Sequence, residues 1–247
     1  MKKLQTCIFL FLIFSCDKDD DKSYYLNGCT DMLACNYNED ATQDDDSCIY
    51  PQEGYDCEGN CSSNSSPTFF TIYTPDGFPS PINLATPLTE EGVNLGRHLF
   101  YDPILSSDNT VSCASCHKQE NAFADNGQYS FGVNGALGNR NTPTIINAAF
   151  QPTYDWDGRA NSLEEQGVRP LFNEIELHNA NWDEILNRLD LSEIYPDLFC
   201  EAFGEEDIDE TQVLNALAQF QSTLISHNSK FDQWLNQEIQ LTPEELD

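Results

Sequence analysis

Cys113-Ala-Ser-Cys116-His117 sets two thiols three positions apart, with an imidazole directly after the second. Those residue types at that spacing suit one covalent chemistry. Each sulfur adds across a vinyl group of a porphyrin, and the adjacent histidine reaches the iron from below as its proximal ligand. The pattern predicts a haem of the c type on Cys113 and Cys116, with His117 on the iron. A zinc or dithiol redox site is the competing reading. Zinc calls for a second pair of ligands at comparable spacing. Downstream of His117 the chain offers only Cys200, His178 and His227, widely scattered.

A haem protein that only carries electrons needs a second axial ligand, often methionine. The only methionines are Met1 and Met32, both far from the motif. Their placement favours an open, reactive iron over a mono-haem electron-transfer cytochrome c, which stays as the alternative from a different functional class.

The elements around the motif must supply a pocket, and the pattern predicts that they are helical. Thr89 caps a helix carrying Val93, Leu95, Leu99 and Phe100, which stops before Pro103. Asn181 opens a second, with Trp182, Ile185, Leu186 and Leu189 on one face. Over 210–226, Asp209 and Gln212 approximate a capping box ahead of the stripe Val213, Leu217, Phe220 and Leu224. Thr242-Pro243 with Glu245 reads as one more helix start. No run alternates with period two, so the fold class expected for the haem domain is mainly α. His98 and His227 read as surface residues.

The 247-residue chain carries 42 acids against 11 bases, a net charge of −31. Nucleic acid and anionic membrane surfaces are excluded as partners, because no basic patch exists to meet them. Lys2 and Lys3 precede an apolar run from Cys7 to Phe14, too short to span a bilayer. That run ends Leu12-Ile13-Phe14-Ser15-Cys16, which resembles a bacterial lipobox, with Cys16 as the lipidated residue. Residues 1–15 are thus expected to be a signal peptide. The protein is expected to be exported to the periplasm or cell surface, anchored to the outer membrane through lipid alone, and export reaches the compartment where haem is attached to such motifs.

Residues 16–27 form an acidic tether, since the Asp17–Asp21 run reads as a solvated spacer. Residues 28–61 hold five cysteines and almost no aliphatic periodicity, so disulfides must replace a core in a small, loop-dominated module. GCTD, ACNYN and DDDSC resemble pieces of a short Cys-rich repeat of secreted bacterial proteins. Five is odd, so one of these thiols is free or pairs with Cys200. Asp44, Asp45 and Asp46 suit Ca²⁺ chemically, though a hydrated acidic loop is the simpler reading. Residues 62–82 are expected to be a Ser/Pro-rich linker, 83–240 the haem domain, and 241–247 the start of a further domain.

PLTEEGVNLGRHLFYDPILSSDNTVSCASCHKQENAFAD, followed by GNRNTPTIINAAFQPTYDWDGRANSLEEQ, resembles the bacterial di-haem cytochrome c peroxidases and their MauG-like relatives. The likeness runs from Phe78 to the end. It implies a cytochrome c-like haem domain, one haem c in this chain and two in the full protein, with 241–247 the start of the second haem domain. It also implies an enzyme that reduces hydrogen peroxide to water, with electrons from a small donor (a cytochrome c or cupredoxin) arriving through the second haem. In the MauG-like branch the oxidising equivalents modify a partner protein instead. Glu176 and Gln166 match the pair facing peroxide, Trp156 the aromatic that relays electrons, and Asn141 a ligand of an interdomain Ca²⁺. Asp157, Gly158 and Arg159 would be structural at the haem edge. A homodimer is among the assemblies the resemblance allows. Val133 stands where many relatives carry a displaceable histidine, and His178, the nearest substitute, is expected to face solvent. The iron should therefore be open without reductive activation.

Overall fold

The computed structural model describes residues 25–52, 54–62, 67–82, 84–204 and 207–246. The signal segment, Cys16 and most of the tether lie outside them. The described residues fall into two compact units, one ending at Pro51 and the other beginning at Gln52.

The first unit has little apolar interior: Cys29 and Ala34 are its buried hydrophobic residues, while Met32, Leu33, Ile49 and Tyr50 are exposed. A Cys29–Cys48 disulfide staples it, and Cys35 is also disulfide-bonded. Its acids act locally. Asp31, Asp44 and Asp45 each accept a backbone N–H two residues on, from Leu33, Asp46 and Ser47, which is how short acidic side chains build turns. Asp44 also takes the Thr30 hydroxyl at 2.9 Å. No group of three or more His, Cys, Asp or Glu suited to a metal occurs among the described residues.

The second unit is helical, and its described residues contain only isolated bridges in place of strands. In order come α1 (Glu90–Tyr101), α2 (Cys113–Cys116), α3 (Leu163–Phe172), α4 (Trp182–Asp190), α5 (Tyr195–Phe203), α6 (Glu210–Ser222), α7 (Lys230–Leu235) and α8 (Pro243–Leu246). The caps follow from side-chain chemistry. Thr89 Oγ1 accepts from Gly92 N at 3.0 Å, and Asn181 Oδ1 from Glu184 N at 3.0 Å. Asp209 and Gln212 exchange bonds at the head of α6. The α6 helix stops at Ser222, four residues before the end read from its apolar stripe, because Thr223 and Leu224 N–H groups turn back to Phe220 and Gln221 carbonyls.

Helix α6 is buried from Gln212 to Ser222 apart from the half-buried Leu214, and it organises the unit. It packs against α1 and α3, and α1 packs in turn against α5. Gly96 makes the α1–α6 crossing close: a Cβ there would stand 1.9 Å from the Ala216 carbonyl oxygen. Polar groups on so buried a helix need partners. Gln219 has them, its Oε1 accepting from Thr89 N at 2.9 Å and its Nε2 donating to Thr86 Oγ1 at 3.2 Å. Leu95, Leu99, Ile185, Leu189, Tyr195 and Val213 are fully enclosed in the resulting core; each Leu or Ile contributes about 1.5–3 kcal/mol by leaving water.

Two further ties shape this unit. Cys61 is bonded to Cys200 of α5, which settles the fate of the odd thiol. Residues 67–82, which turn at Asp76-Gly77, are tied to the unit at both ends, with Phe70 N donating to Leu88 O and Ile82 N to Ala149 O. Tyr73 of this segment stacks at 5.0 Å on His227, leaving that histidine half-buried where the sequence suggested a surface position. His98 is exposed.

Candidate haem site

One turn of helix carries the motif. In α2, Cys113 and Cys116 are three positions apart and so share a face; Ser112 N donates to Ser115 Oγ at 3.0 Å to start the turn. His117 ends it, its N–H bonded to Cys113 O at 2.9 Å. The approach is fixed by Ser106, whose buried hydroxyl accepts from Thr110 and Val111 N–H groups at 3.1 and 3.2 Å.

The imidazole is enclosed. Its Nδ1 lies 3.0 Å from the Phe123 carbonyl oxygen, which assigns the proton to Nδ1 and leaves the Nε2 lone pair for a metal. Burial pushes its pKa down, so the ring is held neutral, the form that ligates. Phe100 of α1 lies 6.4 Å from it, with Phe123 and Phe220 packed on Phe100 at 6.2 and 5.1 Å.

A cavity of about 820 Å³ opens over this turn, inside the range of about 300–1,000 Å³ usual for ligand and cofactor sites. Cys113, Cys116 and His117 form one wall; Gln166, Pro170 and Leu171 of α3, with Ile175, Glu176 and Leu177, form another. Arg140, Asp155, Trp156 and Arg159 line its outer part. Both motif cysteines are free, whereas the six other described cysteines are disulfide-bonded. Burial pushes the Cys113 thiol up to about 12 and raises Cys116 as well. A zinc tetrad calls for further ligands, and no group of three or more His, Cys, Asp or Glu suited to a metal occurs among the described residues. Cys113 and Cys116 are free S–H groups beside a neutral histidine on the wall of a large cavity, and that donor set fits a covalently held haem.

Glu176 belongs to the loop after α3, and several bonds hold that loop. Asn173 Nδ2 donates to Glu176 Oε1 at 2.6 Å, and Val133 N donates to Glu176 O at 2.9 Å. Gly132 allows the approach, since a Cβ there would meet Ile175 O at 2.2 Å. Farther along, buried Asn179 donates to Leu105 and Leu171 carbonyls and accepts from Arg188 at 2.6 Å. The surrounding walls raise the Glu176 carboxyl; the Asn173 bond opposes the shift. Gln166 is half-buried one turn into α3, whose N-cap Ser162 accepts from Glu165 N at 3.1 Å.

Trp156 stands at the outer part of the cavity, 61% exposed, with Nε1 donating to Asn141 O at 2.7 Å. Asn141 in turn donates through Nδ2 to Gly127 O at 3.1 Å, which leaves its Oδ1 as the acceptor. Arg159 pairs with Asp155 and Asp157, Arg140 with Asp157, and Arg169 with Asp155. Val133 is buried in the helical core, and the cavity wall beside it is made by Phe131 and Gly132. His178 is exposed and does not line the cavity. The spacing argument missed Asn173, Asp125 and Ser130; each matters only through how a loop folds back, which no motif spells out.

Residues 90–240 match the family model described as di-haem cytochrome c peroxidase. The methylamine utilization protein MauG of Methylophilus methylotrophus is 38% identical over 163 residues, 65% of this chain and 47% of the relative. The cytochrome c peroxidase Ccp of Escherichia coli K12 is 39% identical over 155 residues, 63% and 33% of the two chains. A crystal structure of a MauG-like protein associated with microbial copper homeostasis superposes with a TM-score of 0.67 at 35% identity, covering 72% of this chain and 53% of that one. The chain thus spans about half, or less, of the length of these relatives.

Proposed function

The chain belongs to the di-haem cytochrome c peroxidase family, and from that premise we propose that it forms the peroxide-reducing half of such an enzyme. The observation that carries this reading is the position of Glu176 and Gln166 on the wall of the cavity that also holds Cys113, Cys116 and His117. Cys113 and Cys116 would hold the haem by thioethers, and His117 Nε2 would ligate its iron. When bound, the haem supplies the iron at which peroxide takes up two electrons. Two protons must also be delivered for each peroxide that becomes two waters. The Gln166 amide orients the peroxide, and the Glu176 carboxylate takes the proton from one oxygen and returns it to the other. Its raised pKa suits that exchange better than an ordinary carboxylate would. With Val133 in the core and His178 off the cavity wall, neither side chain blocks the peroxide face.

Electrons reach this centre from a small redox protein, a cytochrome c or cupredoxin, through a second haem domain, with Trp156 on the path. Asn141 Oδ1 contributes to a Ca²⁺ site completed by that second domain. Export, lipid anchoring through Cys16 and residence at the periplasmic or outer surface follow from the N-terminal residues; no helix among the described residues is long and apolar enough to cross a membrane. The MauG-like alternative, oxidation of a partner protein, draws support from the relatives that carry that name.

Single-turnover mixing of the haem-loaded 247-residue protein with peroxide tests the assignment. Glu176→Gln should slow peroxide cleavage by about two to four orders of magnitude, with the resting spectrum of the His117-ligated haem unchanged. A rate within a few-fold of the parent would return Glu176 to the surface acids.

A further inference from the structure

The loop that follows His117 doubles back under the imidazole in a conformation that side chains disfavour. Ala122 and Phe123 are consecutive residues with φ of +55° and +56°, a left-handed backbone that persists only where its surroundings hold it. The Phe123 carbonyl at the end of this pair is the one that meets His117 Nδ1. Main-chain bonds join Lys118 N to Ala124 O and Phe123 N to Lys118 O. Thr144 Oγ1 secures the Ala122 carbonyl from outside at 2.5 Å.

One side chain closes the loop. Asp125, 9% exposed, accepts from Lys118 Nζ at 2.8 Å, Ser130 Oγ at 2.7 Å and Gly127 N at 3.3 Å. Lys118 is the residue next to His117. The Ser130 hydroxyl lies 2.7 Å from Thr142 Oγ1 as well, so the carboxylate links the ligand loop to the opposite cavity wall. Lys118 and Ser130 hold the Asp125 carboxyl down to about 2. A lone pair with a lysine that is 37% exposed would matter little; three donors from three points of one loop are a clamp.

We propose that Asp125 is a positioning residue for the proximal imidazole. It keeps the Phe123 carbonyl at Nδ1, and that bond makes His117 a more electron-rich ligand and lowers the iron's affinity for an electron. The inference rests on the proposed ligation by His117 and is independent of the peroxide chemistry.

The test uses the haem-loaded 247-residue protein, with two readouts that activity does not enter: the ferrous iron–histidine stretch by resonance Raman, and the haem midpoint potential. Asp125→Ala and Asp125→Asn should lower the stretching frequency and move the midpoint to more positive potential. The shift should correspond to about a tenfold change in the reduction equilibrium, the lower end for losing a partner of a metal ligand. Lys118→Met, which leaves two of the three donors, should shift both readouts less. If neither Asp125 variant folds, Ser130→Ala decides, with shifts of the same sign expected. A frequency and midpoint equal to the parent's in the folded variants would overturn the clamp alone. A parent whose ferrous haem is five-coordinate yet lacks the iron–histidine band would overturn the His117 ligation and the clamp together.

Discussion

Residues 25–51 and the helical unit are ordered by opposite means. The small unit exposes Tyr25, Met32, Leu33 and Ile49 and depends on disulfides and carboxylate-capped turns. The helical unit encloses Leu95, Leu99, Ile185 and Leu189 completely and caps its helices. The contrast extends to cysteine itself. Most described cysteines are spent on disulfides, while Cys113 and Cys116 stay reduced within 4 residues of each other, in a helical turn that faces a cavity. Disulfides staple both units, Cys61–Cys200 in the helical one included; the two cysteines left free on the cavity are the ones to which the proposed reading gives the cofactor.

The largest effect expected from that contrast is all-or-none. Replacing Cys113 and Cys116 with Ala should abolish covalent haem, so that the colour is lost on denaturation and acid–acetone extraction. The parent should keep it. Haem that extracts freely from the parent would break the comparison, since Cys113 and Cys116 would then be two ordinary half-buried thiols.

A pair of reciprocal variants sharpens it. Cys29→Ser with Cys48→Ser should destabilise residues 25–51 by about 2–4 kcal/mol, the usual worth of a disulfide, seen as faster proteolysis there. Thermal unfolding of the helices should stay as in the parent. Gly96→Ala should do the reverse: its Cβ drives into the Ala216 carbonyl, at a cost of about 1–3 kcal/mol for an overpacked helix contact. The measured midpoint of helical unfolding should fall while proteolysis within 25–51 is unchanged. A single transition disturbed equally by both variants would show that the two strategies do not act separately.

The two units also differ in how far the sequence disclosed them. Helices α1, α4 and α6 were legible because Thr89, Asn181 and Asp209 cap long apolar stripes, and local chemistry there agrees with the packing. Helix α3 was not, since Gly167 and Pro170 interrupt its pattern; packing of α3 on α6 overrides the weak local preference. Helix α5 opens with Tyr195-Pro196 and lacks a side-chain cap. The Cys113-Ala-Ser-Cys116-His117 motif stands out in the sequence because covalent haem attachment calls for that spacing. Cys61–Cys200 was left open between a free thiol and a bridge, because sequence spacing says nothing about two residues 139 apart. Asp125 and Asn173 gave no signal at all: one closes the loop in left-handed backbone after His117, the other ends a helix on the cavity wall, and only the folded chain brings each to its place.

The smallest effect lies within the helical unit, where the rigid helices give way to the loop that presents Glu176. Burial raises this carboxyl, and the Asn173 amide, donating to Oε1 at 2.6 Å, lowers it again. In the role proposed for it, Glu176 accepts a proton only when ionised, so the rate of peroxide cleavage should fall as pH drops through its raised pKa. Asn173→Ala removes the bond that stabilises the anion. The pKa must then rise, and the acid limb should move to higher pH, with little change in the rate at its plateau. Asn173→Ala also removes the 3.1 Å bond from Ile175 N to Asn173 Oδ1, but the turn should survive on the Asn173 main-chain carbonyl, which accepts from Glu176 and His178 N–H groups. A limb that stays in place, or moves to lower pH, would mean that the amide does not stabilise the carboxylate during turnover, and that walls alone set the proton affinity of Glu176.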